Sequence, residues 1–452
     1  MIKPFLARLS ASSDERSKRI LRHIIYSAGL KFINAGVSFL VIPIYLELLT
    51  EVSFGIWLTV SAVINWFNFF DLGLGNGLRN RFAQAKAEGN DSLAARYVST
   101  SYALIGSISG AILIIFLIAD QFFQWSAIFA APGMLADEVN QMVFVLVVLF
   151  CPQFVLQLIK MIVTADQRPA LSNLMNTIVN VLQLGALFFL SFDGDVNLPE
   201  LALYLGGINL LVPIFANFFL FSGMYSQYRP RLSFVDFSLS RKLLGLGMTF
   251  FILQGAALVV FMTDNLIITH VLGPEEVPAY NISYRYFNLA AVVFGLITTP
   301  FWSAFTEAYV KKDMAWIKKV VRRLLLLWLV VSLVALAMFF AAPLVYSFWI
   351  GDTVTIPGVL NFFMMVWVIL STFLSIFGTF LSGLGKLKIS VFHAVFIALI
   401  NIPLSIYLAG FPALGSAGVI LASILGTCFR LFFQPLQTFK IIRGTARGIW
   451  NR

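Results

Sequence analysis

The chain has 452 residues, 60% of them hydrophobic and 12% charged, with a formal net charge of +10. A soluble core cannot absorb that apolar share, because most of a globular surface must stay wettable. The composition therefore excludes an ordinary soluble enzyme or binding module and places the chain among polytopic membrane proteins. The basic excess lies mostly in short loops between apolar runs, which reads as membrane topology and not as nucleic-acid binding.

A spanning helix needs about 20 mostly apolar residues, because each residue rises ~1.5 Å across a ~30 Å hydrocarbon layer. Twelve such spans are expected. The polar, basic N-terminus lacks the pattern of a cleavable signal, so the first apolar run, 24–46, reads as a membrane helix; it carries Lys31 and Asn34. The second, 54–75, carries Asn65, Asn68 and Asp71. It runs into the stretch FFDLGLGNGLRNRFAQAKAEGN, residues 69–90, where three glycines and the cations Arg79, Arg81 and Lys86 open an expected loop over 76–96. Spans at 97–119, 140–163, 170–191 and 199–222 complete a first half. A basic segment, 223–242, with Arg229, Pro230, Arg231, Asp236, Arg241 and Lys242, reads as the linker to the second half. There the spans are 243–270 with Asp264 and Asn265, 278–302 with Asn281, Arg285 and Asn288, then 320–343, 357–382, 389–409 and 414–436.

Alternate loops differ in sign. Nearly all loop Lys and Arg fall before 24, at 76–96, 164–169, 223–242, 303–319 and 383–388, and after 436. The intervening loops carry acids only, among them Glu51, Asp120, Asp137, Glu138, Glu275 and Glu276. That asymmetry predicts both termini in the cytoplasm. The chain thus reads as an all-α polytopic membrane protein, with an N-terminal six-helix half over 1–222, the cytoplasmic linker and a C-terminal half over 243–452.

Residues 49–90 lie over 272–313 at a constant offset of 223 without a gap, placing Phe82 on Phe305 and Ala85 on Ala308. Both segments enter from an outer loop and end in a basic one. Halves with the same orientation form parallel repeats, an arrangement that often encloses a substrate path. The second copy replaces GNGLRNRF with TTPFWSAF, residues 298–305, so only one half keeps the Gly–Arg signature.

Several chemistries are excluded. Cys151 and Cys428 are the only cysteines, both in apolar stretches, and His23, His270 and His393 are scattered, so neither a disulfide framework nor a metal site is expected. No GxxxxGK[ST] segment is present, so no ATP-hydrolysing activity, and no cofactor, is expected.

Ionisable groups inside lipid cost at least a few kcal/mol each and must pair, snorkel or face water. Counting along the helices puts Lys31 and Asp71 at neighbouring depths, and likewise Asp264 and Arg285, so each half is expected to hold one acid–base pair. Three roles stay open: locking helices together, contact of a cation with an anionic head group, and coupling to a proton or sodium ion through Asp71 or Asp264. The amides Asn34, Asn65, Asn68, Asn265, Asn281 and Asn288 read either as helix–helix glue or as a wet inner face. Tyr280 and Tyr284 read as anchors or packing, with stacking on sugar as the alternative.

The segment DLGLGNGLRNRFAQAKAEGN, following LLTEVSFGIW, closely resembles the polysaccharide transport family of flippases. These are the Wzx-type O-antigen and exopolysaccharide translocases of the multidrug/oligosaccharidyl-lipid/polysaccharide (MOP) exporter superfamily. The likeness is most specific over residues 20–100. It implies a MATE/MOP-like fold in a bacterial inner membrane and a non-enzymatic function. The implied partner is an undecaprenyl-diphosphate-linked oligosaccharide, carried from the cytoplasmic to the outer leaflet for surface polysaccharide biosynthesis, with membrane lipid and polysaccharide polymerase machinery beside it. By the resemblance Asp71, Gly73, Gly75, Asn76, Gly77, Arg79 and Arg81 match the family's segment, and Lys31 and Arg285, with Asn281 on the same face as Arg285, are the cavity groups. Asp71, Asp264 and Asn265 are the gating or ion-coupling candidates. An ion-coupled multidrug or organic-cation exporter of the same superfamily is the main alternative. A polymerase or ligase would need a large outer loop, and the longest, near 120–139, is only about twenty residues.

Overall fold

The computed structural model describes residues 15–68, 74–166, 168–192, 196–241, 243, 263–298, 301–351 and 353–451. Every long element among them is α-helical. In chain order the helices are α1 Glu15–Leu48, α2 Glu51–Trp66, α3 Leu74–Ala87, α4 Asp91–Ala119, α5 Ala136–Leu156, α6 Leu158–Ala165, α7 Pro169–Leu190 and α8 Leu198–Ser222. They continue with α9 Asp264–Val271, α10 Glu276–Thr298, α11 Phe301–Val310, α12 Met314–Trp349, α13 Gly358–Leu384, α14 Lys388–Ala409 and α15 Ser416–Ile442.

Among the described residues eight helices are long and apolar enough to cross a membrane: α4, the run 133–165 that includes α5 and α6, α7, α8, α12, α13, α14 and α15. Each coincides with an expected span. The other four expected spans behave differently. In α1 the described apolar stretch is Phe32–Leu48, and α2 stops at Trp66, with residues 69–73 outside the described part. Of the expected seventh span only α9 is described, and the polar α10 corresponds to the eighth. Asp71 and Gly73 lie outside the described residues, as do the side chains of Lys31 and Asn76.

The expected loop over 76–96 is mostly helix. Leu74, Leu78, Phe82 and Ala85 recur at helical spacing and are almost fully buried, forming a core with α4, α6 and α8. Polar residues at the intervening positions concealed this stripe in a reading based on span hydropathy. The helix ends at Ala87, and the turn after it passes through Gly89, whose φ of 70° is left-handed; Asn90 caps α4 by accepting from the Leu93 N–H at 2.9 Å.

The second copy repeats this turn at the same offset. Lys312 is left-handed with φ of 58°, and Asp313 caps α12 by accepting from the Trp316 N–H at 3.0 Å. Phe82 and Phe305 are both fully buried. The sequence repeat is therefore also a repeat of backbone conformation at this corner.

The chain forms two compact units, one of residues 1–48 with 64–252, the other of 49–63 with 253–452. In the first, α1 packs along α7 and α5 along α8. In the second, α14 packs along α15, and α13 lies against both α10 and α15. Residues 49–63, expected in the first half, pack within the second unit. The reason is local: an atom in place of the Gly55 hydrogen would lie 1.7 Å from the Pro274 carbonyl oxygen, so α2 touches the α9–α10 turn backbone to backbone.

Candidate functional site

In the second unit, polar groups of α2, α9 and α10 converge. Asn265 and Thr269 lie one turn apart on α9 and share a face. Thr269 Oγ1 is 2.8 Å from Thr59 Oγ1 of α2, and both threonines are buried. Asn281 of α10 donates through Nδ2 to Asn265 Oδ1 at 2.9 Å and to the Val277 carbonyl at 2.9 Å. Next to this pair the Tyr280 hydroxyl donates to Asp264 Oδ2 at 2.6 Å. Asp264 is buried, and its Oδ1 has no hydrogen-bond partner. A buried carboxyl group with one oxygen satisfied and the other open retains capacity for a proton or a cation.

The sequence placed Asp264, Asn265 and Asn281 in this unit, and the fold brings them together with Tyr280, Thr59 and Thr269. The expected partner of Asp264 does not hold: its partner is Tyr280, and it forms no ion pair with Arg285. Counted depth alone does not decide contact; azimuth enters too. Arg285 lies five residues after Tyr280, about 140° around α10. The Lys31–Asp71 pair lies outside the described part of the structure. Asn34 and Asn68 take the glue role. Asn180 Nδ2 donates to Asn34 Oδ1 at 3.1 Å, joining α7 to α1, and Gln157 Nε2, at the α5–α6 junction, donates to Asn68 Oδ1 at 3.0 Å, just past the end of α2.

A second cluster occupies the basic-loop side of the first unit. Arg79 is exposed on α3, opposite its buried stripe, while Arg81 donates to Gln84 Oε1 at 3.0 Å. Gly77 has a packing reason: a Cβ there would lie 2.2 Å from the Leu243 carbonyl oxygen. Asp166 gathers three partners, an ion pair with Lys86, another with Arg168 Nε at 3.2 Å, and the Tyr225 hydroxyl at 2.9 Å. Burial, and then the Asp166 carboxylate, push the Tyr225 phenol up.

The segment 223–241 is strapped onto α4. Arg96 pairs with Asp236, the Asp236 N–H donates to Thr100 Oγ1 at 3.0 Å, the Arg231 N–H donates to Ser99 Oγ at 3.1 Å, and the Tyr228 hydroxyl donates to Asp91. Burial and then Asp91 push the Tyr228 phenol up to about 12. Hydrogen bonds from Ser238, and then Arg96, hold the Asp236 carboxyl below the usual range.

Besides Arg322 and Arg323 at the edge of the span 320–343, Lys160 and Arg430 lie within expected spans and were not singled out in the sequence. Lys160 donates to Asn176 Oδ1 at 2.7 Å, and Arg430 lies on the buried face of α15. A scan of each apolar run for single charges would have found both. Among the described residues no group of three or more His, Cys, Asp or Glu side chains converges as metal ligands would.

Residues 20–305 match the family model described as polysaccharide biosynthesis protein. The chain belongs to that family. Residues 252–407 also match MatE. A Salmonella typhi protein named for O-antigen transport is 23% identical over 388 residues, covering 83% of this chain and 86% of its own. A Yersinia pseudotuberculosis protein named for O-antigen export is 21% identical, covering 82% and 85%. An inward-facing multidrug-resistance MATE transporter of the MOP superfamily shares the fold at 15% identity with TM-score 0.76, covering 93% of this chain and 98% of its own. A MOP transporter from Pyrococcus furiosus, described as having a binding pocket of reversed polarity, aligns with TM-score 0.64 at 16% identity, covering 94% and 96%. The family member described above is thus a multi-pass membrane transport protein of the Wzx/MATE type with a MATE/MOP-like fold, and not an enzyme.

Proposed function

We propose that this family member moves a polyprenyl-diphosphate-linked oligosaccharide from the cytoplasmic to the outer leaflet by alternating access of two six-helix halves, with both termini cytoplasmic. One observation carries the reading: the family match over 20–305 includes the Gly–Arg segment, and relatives covering most of the chain are named for O-antigen transport. The chemistry agrees. A diphosphate approaching a low-dielectric layer needs compensation, and arginine offers a fork of donors suited to phosphate oxygens. Arg79 and Arg81 are assigned to the arriving diphosphate. Lys31, Arg285 and Asn281 are assigned to the head group along its path. No bond is broken.

A second reading, ion-coupled export of organic cations, has the stronger support from fold and from the second unit. The solved structures that share the fold at high coverage include multidrug exporters, and the buried Asp264–Tyr280 pair with its open oxygen suits a proton or sodium ion. Both readings assign Asp264 and Asn265 to coupling, with Asp71 beside them. Thermal-shift titration of the purified protein separates them. Under the first reading, polyprenyl diphosphate stabilises the wild type and Arg79→Gln/Arg81→Gln weakens that shift. Stabilisation by organic cations alone, abolished by Asp264→Asn, would favour the second.

A further inference from the structure

The last hundred residues contain no acid: after Asp352 the chain carries Lys386, Lys388, Arg430, Lys440, Arg443, Arg447 and Arg452 but neither Asp nor Glu. Most of these cations lie near helix ends or in the tail. Arg430 does not. It lies 14 residues into α15, whose length is 27 residues, on a face formed by Ser423, Thr427, Gln434, Gln437 and Thr438, all buried. From Ser423 to Thr438 that face is polar, between the buried Val419 and Ile420 on one side and Ile441 on the other, where a membrane helix packed in its own unit would ordinarily show apolar side chains.

The facing helix α14 answers with Ser390, His393, Asn401 and Ser405. Toward the acidic-loop end the seam is tight. A Cβ on Gly418 would lie 2.5 Å from the Leu408 carbonyl group, and one on Gly426 3.0 Å from Ile397 Cδ1. Asn401 Nδ2 donates to Ser423 Oγ at 3.1 Å, and His393 Nε2 sits 3.0 Å from the Gly426 carbonyl. Asn401 Oδ1 and Ser405 Oγ on this seam are buried without a partner; toward the basic-loop end, where Gln437 Nε2 donates to the Trp450 carbonyl at 3.2 Å, the unpaired groups include a cation. Gln434 Nε2 reaches Ser390 Oγ only at 3.5 Å, while Arg430 Nε, Gln434 Oε1 and Thr438 Oγ1 are buried with no hydrogen-bond partner. These three residues, at i, i+4 and i+8, lie above one another on one stripe. Arg430 makes no hydrogen bond or ion pair with any described residue, and α13, α14 and α15 offer no carboxylate.

Arg430 is half-buried with its Nε buried and unpaired, and an arginine in a membrane interior without a counter-charge costs at least a few kcal/mol, so such a group implies a partner. We propose that Arg430, Gln434, Thr438 and Ser390 form a site for a phosphate-bearing anion entering between α14 and α15 from the basic-loop side. The guanidinium supplies a planar fork for the oxyanion, and the Gln434 amide, turned about its last bond, supplies N–H in place of the unpaired oxygen. Arg430 lies six residues, about 9 Å, inside the expected inner boundary of its span. A long cationic side chain and a drawn-in head group together cover such a distance. The shared chemistry is a phosphate monoester, diester or free phosphate; an anionic phospholipid and inorganic phosphate are its two sources. The site's residues lie on α14 and α15, and none of them is a member of the Asp264 cluster on α2, α9 and α10.

The test is native mass spectrometry of the full chain in detergent, titrated with phosphatidylglycerol, with phosphatidylcholine, and with inorganic phosphate. Wild type, Arg430→Gln and Arg430→Lys are compared. The wild type is expected to hold one phosphatidylglycerol at least about tenfold more tightly than Arg430→Gln, with Arg430→Lys between them, because the point charge survives without the fork. Phosphatidylcholine should not discriminate among the three. Binding of phosphatidylglycerol alone assigns the site to lipid; inorganic phosphate binding lost in Arg430→Gln assigns it to the free anion. A thermal readout complements this: in phosphatidylcholine alone Arg430→Gln should unfold at or above the wild-type temperature, since an unpaired buried charge is gone, and phosphatidylglycerol should reverse that order. Equal binding of both anions by wild type and Arg430→Gln overturns the site. If Arg430→Gln does not fold, wild-type affinity in Arg430→Lys for both anions overturns the fork.

Discussion

Gly77→Ala probes the segment that carries the family signature. Gly77 lies on α3, a helix interior where alanine is ordinarily the better residue by about 0.8–1 kcal/mol. An added Cβ would lie 2.2 Å from the Leu243 carbonyl oxygen and 3.0 Å from its carbon. Both are backbone atoms, so no rotamer change relieves the contact, and α3 must shift away from Leu243. Overpacking of this kind costs about 1–3 kcal/mol, which exceeds or offsets the propensity gain. Because no rotamer change relieves the contact, the cost is taken at the upper end, about 2–3 kcal/mol, and a net loss of about 1–2 kcal/mol is expected. The assay is the thermal midpoint of the detergent-solubilised protein by fluorescence-detected size exclusion. Gly106→Ala in α4 is the control, because a Cβ there meets nothing within 4 Å. The control should match or exceed the wild type, with Gly77→Ala below both. A Gly77→Ala midpoint equal to that of Gly106→Ala would refute close packing as the reason for this glycine and return it to the ligand.

Three further outcomes follow from the same structure. Lys312 holds a left-handed φ of 58° where its repeat partner Gly89 holds 70°, so Lys312→Gly should raise stability by about 1 kcal/mol and Gly89→Ala lower it similarly; equal midpoints would argue against strain at this corner. Tyr280→Phe removes the donor to Asp264 and should couple with Asp264→Asn in a double-mutant cycle by about 0.6 kcal/mol or more, whereas Arg285→Gln with Asp264→Asn should be additive within about 0.5 kcal/mol. Asp236 is held below its ordinary range, so its contribution to the strap is complete above the unfolded value of about 3.9 and is lost as pH falls through the folded value. Hydrogen exchange over 223–241 should therefore accelerate in acid, and Asp236→Asn should remove that step; an unchanged pH profile in Asp236→Asn would exclude this carboxylate.

Long apolar runs made the membrane helices legible, because a span of about 20 apolar residues has few other readings. The eight helices long and apolar enough to cross fall on expected spans. The second span was harder. Its outer part, Glu51–Trp66, is set by backbone contact at Gly55 with Pro274, information carried by the partner and not by the run itself. The buried stripe of α3 was present in the sequence at 74, 78, 82 and 85, but glycines and arginines between those positions read as loop. Charge depth could be counted, and it set Asp264 opposite Arg285, whereas the contact on α10 falls on Tyr280. Rotation about the helix axis could not be counted, and so Tyr280 took the place expected of Arg285. The glycine–arginine segment was legible as a signature, while the packing duty of Gly77 required the position of Leu243.

The central claim is the identity of the cargo. Proteoliposomes loaded from one side with a polyprenyl-diphosphate oligosaccharide, and probed with an impermeant lectin on the other, measure it directly, with efflux of an organic cation followed in the same vesicles. The account predicts lectin-accessible glycolipid appearing only with the protein present, slowed by Arg79→Gln/Arg81→Gln, and no cation efflux. Cation efflux driven by a proton or sodium gradient, without glycolipid movement, would contradict it.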